Sequence, residues 1–171
     1  MKVLIINNNT LHLEELKHWL SAYDCEVVNV GEDYILEEFD LVVLSGSHTD
    51  SVIGNESKYA KEIELVKSGK PVIGICLGCE IVGYAFGAKL EKLPHRERGM
   101  IDVNGTPQYE SHCWVVKNLP PELELLATSK DGIEIIRHKS LPVVGLQFHP
   151  EVTGQPKAEE VVAIMKVWTT R

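Results

Sequence analysis

The sequence of 171 residues predicts an α/β fold: a doubly wound, mostly parallel sheet with helices on both faces and added antiparallel strands in the second half. Three observations lead to this prediction. Short apolar runs occur in the first half, amphipathic helical patterns lie between them, and shorter β-like stretches separated by turns follow Gly87. The length fits one domain, so we expect residues 1–171 to fold around a single core.

A βαβ unit opens the chain. Lys2 to Ile6 is an apolar run that predicts a strand buried on both faces, and the asparagines after it predict a loop that caps a helix. Leucines recur at three and four residues within Leu11 to Tyr23, the spacing of a helix with one buried stripe. Cys25 to Val30 is the strand that follows.

The same alternation continues along the first half. Leu41 to Leu44 predicts another buried strand, and Glu56 to Lys67 predicts a helix. Pro71 to Ile75 predicts a third central strand, and Leu77 to Phe86 has a helical pattern despite two glycines. Strands that alternate with helices predict a mostly parallel sheet covered on both faces.

The second half has a different sequence pattern, in which short β-like stretches alternate with turns. This pattern predicts added antiparallel strands. These stretches are Lys89 to Leu93, Met100 to Val103, Cys113 to Val116, Leu123 to Ala127, Ile133 to Arg137 and Val143 to Phe148. Lys157 to Trp168 closes the chain as an amphipathic helix, with Val161, Ile164, Met165 and Trp168 on one face.

The composition excludes several classes of function. The net charge of −8, from 25 acidic and 17 basic residues, disfavours nucleic-acid binding and anionic lipid surfaces. The longest apolar runs fall well short of the roughly 20 residues needed to cross a bilayer, and the N-terminal run is too short for a signal peptide. We therefore expect a cytoplasmic protein with no membrane partner, and we expect its four cysteines to be reduced.

A nucleophile motif lies where the third central strand meets its helix. Gly74-Ile75-Cys76-Leu77-Gly78 has the form glycine, any residue, nucleophile, any residue, glycine, and the flanking glycines permit a sharp turn and close backbone approach. A thiol at a helix N-terminus is also favoured as the thiolate. The alternative is that Cys76 is a small buried core residue. The glycines on both sides favour the nucleophile, because a core strand gains nothing from them.

His149 and Glu151 are the candidate base and the residue that orients it. A nucleophilic cysteine needs a proton acceptor within reach and a third group to fix the acceptor's tautomer. Extended residues two apart point to the same side, and Pro150 restricts the backbone between them. The histidines at positions 12, 18, 95 and 138 are interpreted as surface or structural residues. None has metal-ligand spacing, so we expect no metal and no cofactor.

Together these residues resemble the class I glutamine amidotransferases. The elbow Gly74 to Gly78 and the terminal Gly145 to Val152 are similar to signatures of that family. Ser111-His112 and the residues after it resemble the corresponding stretch of the glutaminase subunits of GMP synthetase and anthranilate synthase. The resemblance covers almost the whole chain and is strongest to the glutaminase subunits of GMP synthetase.

The resemblance implies hydrolysis of glutamine through a γ-glutamyl thioester on Cys76, with ammonia passed to a separate synthetase subunit. It also implies an oxyanion hole formed by the backbone N–H groups of Leu77 and of the Gly46-Ser47 loop. It further implies that positions 80, 111 and 112, here Glu80, Ser111 and His112, contribute to substrate binding.

The chain departs from the family pattern beside the predicted nucleophile. Ser47 stands where a second glycine is usual, so a positive φ there would be strained, and His48 replaces the usual proline. Glu80 replaces a glutamine and is closer to what γ-glutamyl hydrolases of the same superfamily carry. Because a carboxylate cannot donate unless it is protonated, Glu80 favours a substrate with an additional donor or cation nearby.

Three alternatives remain open at this stage. The substrate is either glutamine or another γ-glutamyl compound, such as a γ-glutamyl peptide or amine. Cys76 and Cys79 form a C-x-x-C pair, which allows thiol-disulfide exchange or a regulatory disulfide. The third alternative is a catalytically weak regulatory or interaction module. The joint presence of Cys76, His149 and Glu151 argues against it.

Overall fold

The computed structural model describes residues 1–166, so the predicted position of Trp168 lies outside the described residues. The strands are β1 (Lys2–Asn7), β2 (Asp24–Asn29), β3 (Leu41–Leu44), β4 (Val72–Ile75), β5 (Lys89–Val103), β6 (Thr106–Lys117), β7 (Leu123–Ser129), β8 (Gly132–His138) and β9 (Val143–Leu146). The helices are α1 (Leu13–Trp19), α2 (Ala60–Lys67), α3 (Leu77–Ala85), α4 (Pro150–Thr153) and α5 (Ala158–Lys166), with a 3-10 turn at Leu36–Glu38.

A seven-stranded sheet forms the centre, in the order β2-β1-β3-β4-β9-β8-β7. The neighbours from β2 to β9 pair in parallel, and β8 and β7 are added in antiparallel orientation. This confirms the predicted doubly wound, mostly parallel sheet with antiparallel additions. One grouping was wrong: β9, predicted among the antiparallel strands, pairs in parallel with β4. All four residues of β9 are buried, as expected of a strand at the centre of a sheet.

A β-hairpin outside the central sheet consists of β5 and β6. The two predicted stretches Lys89 to Leu93 and Met100 to Val103 are parts of the single strand β5. The pairing with β6 shifts between Lys92 and Glu97, where residues 93–96 lie opposite position 113 alone. Such a bulge bends a strand and redirects its side chains.

The core lies on both faces of the central sheet, because successive residues of a buried strand point to opposite sides. One face packs against α1 and α5, and the other packs against α2 and α3. Val161 and Met165 of the predicted stripe on α5 are buried there. The helices α1 and α2 are shorter than predicted, since hydrogen-bonded turns occupy residues 20–23 at the end of α1 and residues 55–59 before α2.

Glycines hold α3 unusually close to the sheet. A Cβ atom at Gly74 would lie 2.3 Å from the carbonyl oxygen of Gly78, and one at Gly78 would lie 2.4 Å from the carbonyl oxygen of Leu44. Side chains at these positions would therefore push the helix away from β3 and β4. Both glycines of the elbow are explained by this backbone contact.

We predict that Gly78→Ala lowers the free energy of unfolding by about 1–3 kcal/mol, because the new methyl group meets rigid backbone. Gly83→Ala on the same helix is the control, since its Cβ would meet only side-chain atoms, the nearest being the Val116 methyl groups at 3.1 and 3.2 Å. Both changes gain the same helix propensity, so urea denaturation of the two variants isolates the clash. Equal stability of the two variants would contradict the proposed packing constraint.

Candidate active site

Cys76 lies at a sharp turn between β4 and α3. Its backbone has φ 51° and ψ −103°, a positive-φ conformation that is strained for a residue with a side chain. The strain is held in place by two hydrogen bonds: the Cys76 N–H donates to the Leu146 carbonyl (2.7 Å), and the Cys76 carbonyl accepts from Glu80 N–H (3.0 Å). The turn carries the sulfur into the cavity at the end of the sheet, where it lies 3.7 Å from the Ser111 carbonyl oxygen.

His149 and Glu151 lie beside this turn, just after β9. His149 Nδ1 is 2.8 Å from Glu151 Oε1, and the Cys76 side chain is within hydrogen-bonding reach of the imidazole. The His149 backbone N–H donates to the Tyr109 carbonyl (2.8 Å). The predicted reason for the pairing was wrong, because Pro150 and Glu151 begin helix α4 and are not extended. Proline at the first helical position supplies the turn that folds Glu151 back onto the ring.

The electrostatic environment favours a charged His149. Burial lowers its pKa, but the Glu151 carboxylate and the Cys76 sulfur more than offset this and raise the pKa well above the usual 6.5. With Nδ1 occupied by Glu151, Nε2 is the nitrogen left to face the thiol. An imidazole held in this way can accept a proton from sulfur and keep it next to a negative charge.

Three backbone donors near the sulfur are free. Within residues 1–166, the N–H groups of Gly46, Ser47 and Leu77 donate to no acceptor. A Cβ atom at Gly46 would lie 3.3 Å from Cys76 Cβ and 3.1 Å from the His149 ring, so only glycine lets this loop approach the site without displacing a neighbour. Unpaired donors of this kind can stabilise an oxyanion that forms next to the sulfur.

Ser47 fits its loop without backbone strain. Within residues 1–166, the non-glycine residues with positive φ are Asn9, Cys76, Asn104 and Asn118. The strain considered for a serine at position 47 is therefore absent. The Ser47 hydroxyl instead accepts hydrogen bonds from the backbone N–H of Asp50 (3.2 Å) and of Thr49 (3.4 Å), which stabilises the turn after the loop.

A cavity of about 180 Å³ opens beside the sulfur. Its wall contains residues from the 47–51 loop, from the elbow and from the β5–β6 hairpin: Ser47, Thr49, Asp50, Ser51, Cys76, Glu80, Lys92, Arg96, Ser111, His112, Cys113 and Trp114. Both charged and hydroxyl side chains line it, so it suits a small polar molecule rather than an apolar one.

Glu80 is the buried acid of this cavity. It projects from the first turn of α3 and accepts a hydrogen bond from the Ser51 hydroxyl (2.8 Å). Burial raises the pKa of Glu80 to about 7, although the bonds from Ser51 and the Val52 backbone and the nearby His112 act in the opposite direction. Near neutral pH this side chain can therefore donate a proton or, once ionised, bind a cation.

Ser111 and His112 both line the cavity, but they differ in what they offer. The Ser111 carbonyl faces the sulfur, and its hydroxyl accepts a hydrogen bond from Arg96 (3.2 Å). His112 is buried with both ring nitrogens engaged, one with the Trp114 carbonyl and one with Glu110, each at 3.0 Å. The His112 ring nitrogens are thus engaged within the protein, whereas Ser111 offers groups that face the cavity; the substrate-binding roles of both residues stay predictions.

Residues that the sequence did not single out also surround the base. The rings of His12 and Tyr109 lie 5.2 Å and 6.0 Å from the His149 ring, centroid to centroid. His12 was interpreted as a surface or structural histidine, and it forms part of the wall next to His149. The sequence around His12 did not predict its contact with His149, because that contact depends on how the first βα loop folds over the edge of the sheet.

Cys79 differs from Cys76 in its environment. Its side chain is fully buried in the core on the α2–α3 face of the sheet, whereas Cys76 belongs to the opposite face. Burial, followed by the charges of Glu80, Cys76 and Glu134, raises the pKa of the Cys79 thiol well above its usual value. Both thiols are free, and such a buried, neutral Cys79 disfavours the redox alternative.

An acidic cluster joins the β5–β6 hairpin to the turn between β7 and β8. One carboxylate oxygen from each of Glu97, Glu110 and Asp131 lies within 4.8 Å of the others. Each also has a basic neighbour, since His95, His112 and Lys130 lie within 3.0, 3.0 and 3.6 Å of them respectively. Each of the three carboxylates is thus already engaged by a neighbouring side chain.

The chain belongs to the class I glutamine amidotransferases, whose family model matches residues 4–166. A glutamine-hydrolysing GMP synthase subunit from Methanothrix thermoacetophila is 32% identical, with 94% of each chain covered. An aminodeoxychorismate synthase from Streptomyces griseus is 31% identical over all of this chain, which spans only 26% of that protein. A solved structure of a candidate GMP synthase subunit from Thermoplasma acidophilum shares the fold, with a TM-score of 0.83 at 24% identity, covering 99% of this chain and 96% of the other.

The comparison agrees with the family and fold that the motifs predicted. None of the helices within residues 1–166 is both long enough and apolar enough to cross a membrane.

We predict that Glu80 makes the protein less stable as pH rises from about 4.5 to about 7. In that window the unfolded chain loses the Glu80 proton and the folded chain keeps it, so unfolding becomes more favourable. Glu80→Gln keeps the neutral shape and removes the titration. The wild type should therefore lose on the order of 1–3 kcal/mol more stability than the variant between pH 4.5 and pH 8.

Chemical denaturation at several pH values measures this difference. Glu37→Gln, a change at an exposed acid, is the control and should follow the wild type. A Glu80→Gln variant that keeps the pH dependence of the wild type would contradict the raised pKa.

Proposed function

We propose that this chain is a cysteine-dependent glutaminase in which Cys76 is the nucleophile, His149 the base and Glu151 the group that orients it. The proposal rests mainly on one observation: the strained turn at Cys76 lies beside a His149 ring whose Nδ1 is already bound by Glu151. Membership of the glutamine amidotransferase family supports the same chemistry. The free N–H groups of Gly46, Ser47 and Leu77 complete the set of groups that acyl transfer needs.

The proposed reaction has two halves. His149 takes the proton from Cys76, and the sulfur attacks the γ-carbonyl carbon of glutamine to form a tetrahedral intermediate. The N–H groups of Leu77 and of the Gly46-Ser47 loop bind its oxyanion. When the C–N bond breaks, His149 returns the proton to the leaving nitrogen, and ammonia and a γ-glutamyl thioester result. Water then attacks the thioester with His149 as base, which releases glutamate and restores the thiol.

Glu80 indicates which end of the substrate the cavity would bind. Its carboxyl lies in the same cavity as the sulfur, and in the ionised form it is a partner for an ammonium group. Glutamine and other γ-glutamyl compounds carry an α-ammonium group several bonds from the reacting carbonyl. Glu80 and Ser111 would thus bind the amino-acid end of the substrate, while Cys76 receives the γ-carbonyl.

We further propose that residues 1–171 act as one domain and that its ammonia passes to a separate synthetase subunit. Several relatives carry names that describe one part of a larger enzyme, such as a subunit of GMP synthase and component 2 of anthranilate synthase. A hydrolase of γ-glutamyl peptides or amines is the second candidate, and Glu80 in place of a family glutamine is the observation that favours it. The described residues give no comparable support to a module without catalysis.

We predict that Cys76→Ala and His149→Ala each lower ammonia release from glutamine by about 10³-fold or more, because the triad acts as a unit. Cys25→Ser on β2, far along the sheet order from the site, is the control and should retain wild-type turnover. Ammonia is measured by a coupled dehydrogenase assay on the purified chain. Full activity in Cys76→Ala would overturn the proposed nucleophile.

The same assay series separates the two candidate substrates. Turnover of glutamine is compared with that of γ-glutamyl methylamide, in which methylamine replaces ammonia as the leaving group. We expect glutamine to have the larger kcat/KM. A strong preference for the methylamide would establish the γ-glutamyl amine hydrolase instead.

A further inference from the structure

A buried polar network holds the start of the loop that follows β3. It consists of Asn8, just after β1, Ser45, just after β3, and Glu62 in the first turn of α2, and each is at most 2% exposed. The Asn8 side-chain amide donates to the Ser45 carbonyl (3.3 Å) and to Glu62 Oε2 (2.8 Å), and the Asn8 backbone N–H donates to the Ser45 hydroxyl (2.8 Å). That hydroxyl in turn donates to the Gly46 carbonyl (2.9 Å). The network therefore joins α2 to the loop beside the elbow.

The network fixes the two peptide planes that carry the free donors of this loop. The carbonyl oxygens of Ser45 and Gly46 are both bonded to it. In a trans peptide the N–H points to the side opposite its carbonyl, so the N–H groups of Gly46 and Ser47 point away from the network. Gly46 itself lies against Cys76, because a Cβ atom at Gly46 would be 3.3 Å from Cys76 Cβ. The network thus sets the direction of the two loop N–H groups proposed to bind the oxyanion.

Two buried oxygen atoms of the network lack a partner. Within residues 1–166, Asn8 Oδ1 and Glu62 Oε1 have no hydrogen bond. The Asn8 amide cannot be turned around, because the Ser45 carbonyl only accepts and must face Nδ2. A proton on Glu62 Oε1 would supply the donor that Asn8 Oδ1 needs. The carboxylic acid and the amide would then form a pair joined by two hydrogen bonds, with no buried acceptor left unsatisfied.

The surroundings of Glu62 favour this proton. Burial raises the pKa of Glu62 to about 7, although the hydrogen bond from Asn8 and the charge of Lys58 act in the opposite direction. Tyr34 and Tyr59 also face Glu62, and burial followed by nearby carboxylates raises the pKa of both phenols, so both are neutral. The acid form of Glu62 is therefore well populated at neutral pH.

We propose that Asn8 and Glu62 are positioning residues: protonated Glu62 pairs with Asn8, and this pair holds the Gly46-Ser47 loop in the conformation that binds the oxyanion. When Glu62 loses its proton, the bond to Asn8 Oδ1 is lost and the two oxygen atoms repel each other. The Asn8 amide is then held less firmly, and so are the carbonyls that orient the loop. This inference rests on the proposed function, because it concerns the loop assigned to the oxyanion.

Two substitutions of Glu62 separate the pair from the charge. Glu62→Gln keeps both hydrogen bonds at every pH, since its amide accepts from Asn8 Nδ2 and donates to Asn8 Oδ1. Glu62→Leu removes both. In the ammonia assay at pH 6, we expect Glu62→Gln to keep the wild-type kcat. We expect Glu62→Leu to lower kcat about ten- to hundredfold with KM within about twofold, because the oxyanion exists only after the attack.

The pH profile tests the proton itself. Between pH 6 and pH 8.5, the ratio of kcat in Glu62→Gln to kcat in the wild type should rise about three- to tenfold, because the wild type alone loses the pair. The ratio removes the titration of groups that both proteins share. Glu64→Gln, a change at an exposed acid on the same helix, is the control and should give a constant ratio.

Nuclear magnetic resonance of the free protein gives a second readout that needs no turnover. The backbone amide signals of Gly46 and Ser47 are followed against pH in a Glu80→Gln background, so that the other acid with a pKa of about 7 beside the loop does not contribute. We expect both signals to shift with a midpoint near pH 7. Adding Glu62→Gln should remove this titration.

The inference is overturned if the kcat ratio stays flat with pH, if Glu62→Gln loses as much activity at pH 6 as Glu62→Leu, or if the amide signals show no titration that depends on Glu62. Circular dichroism melting checks the fold, and Glu62→Gln alone decides if Glu62→Leu does not fold. A wild-type chain that releases no ammonia would overturn the proposed function instead. The amide signals would then decide whether the pair controls the loop.

Discussion

The parallel pairing of β4 with β9 is the constraint on which the site depends. Ile75 lies opposite Leu146, so the two strands leave the sheet at the same edge, one into the elbow and the other towards the base. The Cys76 N–H is bonded to the Leu146 carbonyl, which fixes the nucleophile relative to the strand that carries His149. The next strand, β3, ends at the same edge and supplies the Gly46 loop. Three separate parts of the sequence are thus placed around one sulfur atom.

Close packing then determines the position of α3 at the site, and neighbouring charges determine the protonation of His149. The contact of Gly78 with the Leu44 carbonyl keeps α3 against β3, so the first turn of the helix stays near the Gly46 loop. His149 is buried, yet its neighbours Glu151 and Cys76 make the charged ring favourable. The hairpin covers this arrangement, because β6 accepts the His149 N–H at Tyr109 and faces the sulfur at Ser111. Burial and neighbouring charges therefore both act on the side chains of Cys76, His149 and Glu151.

Much of this could be predicted from local sequence. The apolar runs determined the order of strands and helices, and the motif around Cys76 carried its own signal in two glycines. The parallel orientation of β9 was not predictable in the same way, because a short apolar strand pairs in either direction and its neighbours decide. The contact of His12 with His149 depends on how the first βα loop folds, which has no periodic signature. The pairing of His149 with Glu151 was predicted, although a helical turn produces it instead of an extended chain.

The most direct measurement of the central claim is the capture of the covalent intermediate. The purified chain is mixed with glutamine, quenched in acid within its turnover time, digested and analysed by mass spectrometry. The proposed function predicts one γ-glutamyl group on the peptide that contains Cys76, absent from Cys76→Ser. Glutamine hydrolysis without any modified Cys76 peptide, or modification of Cys25, Cys79 or Cys113 instead, would contradict it.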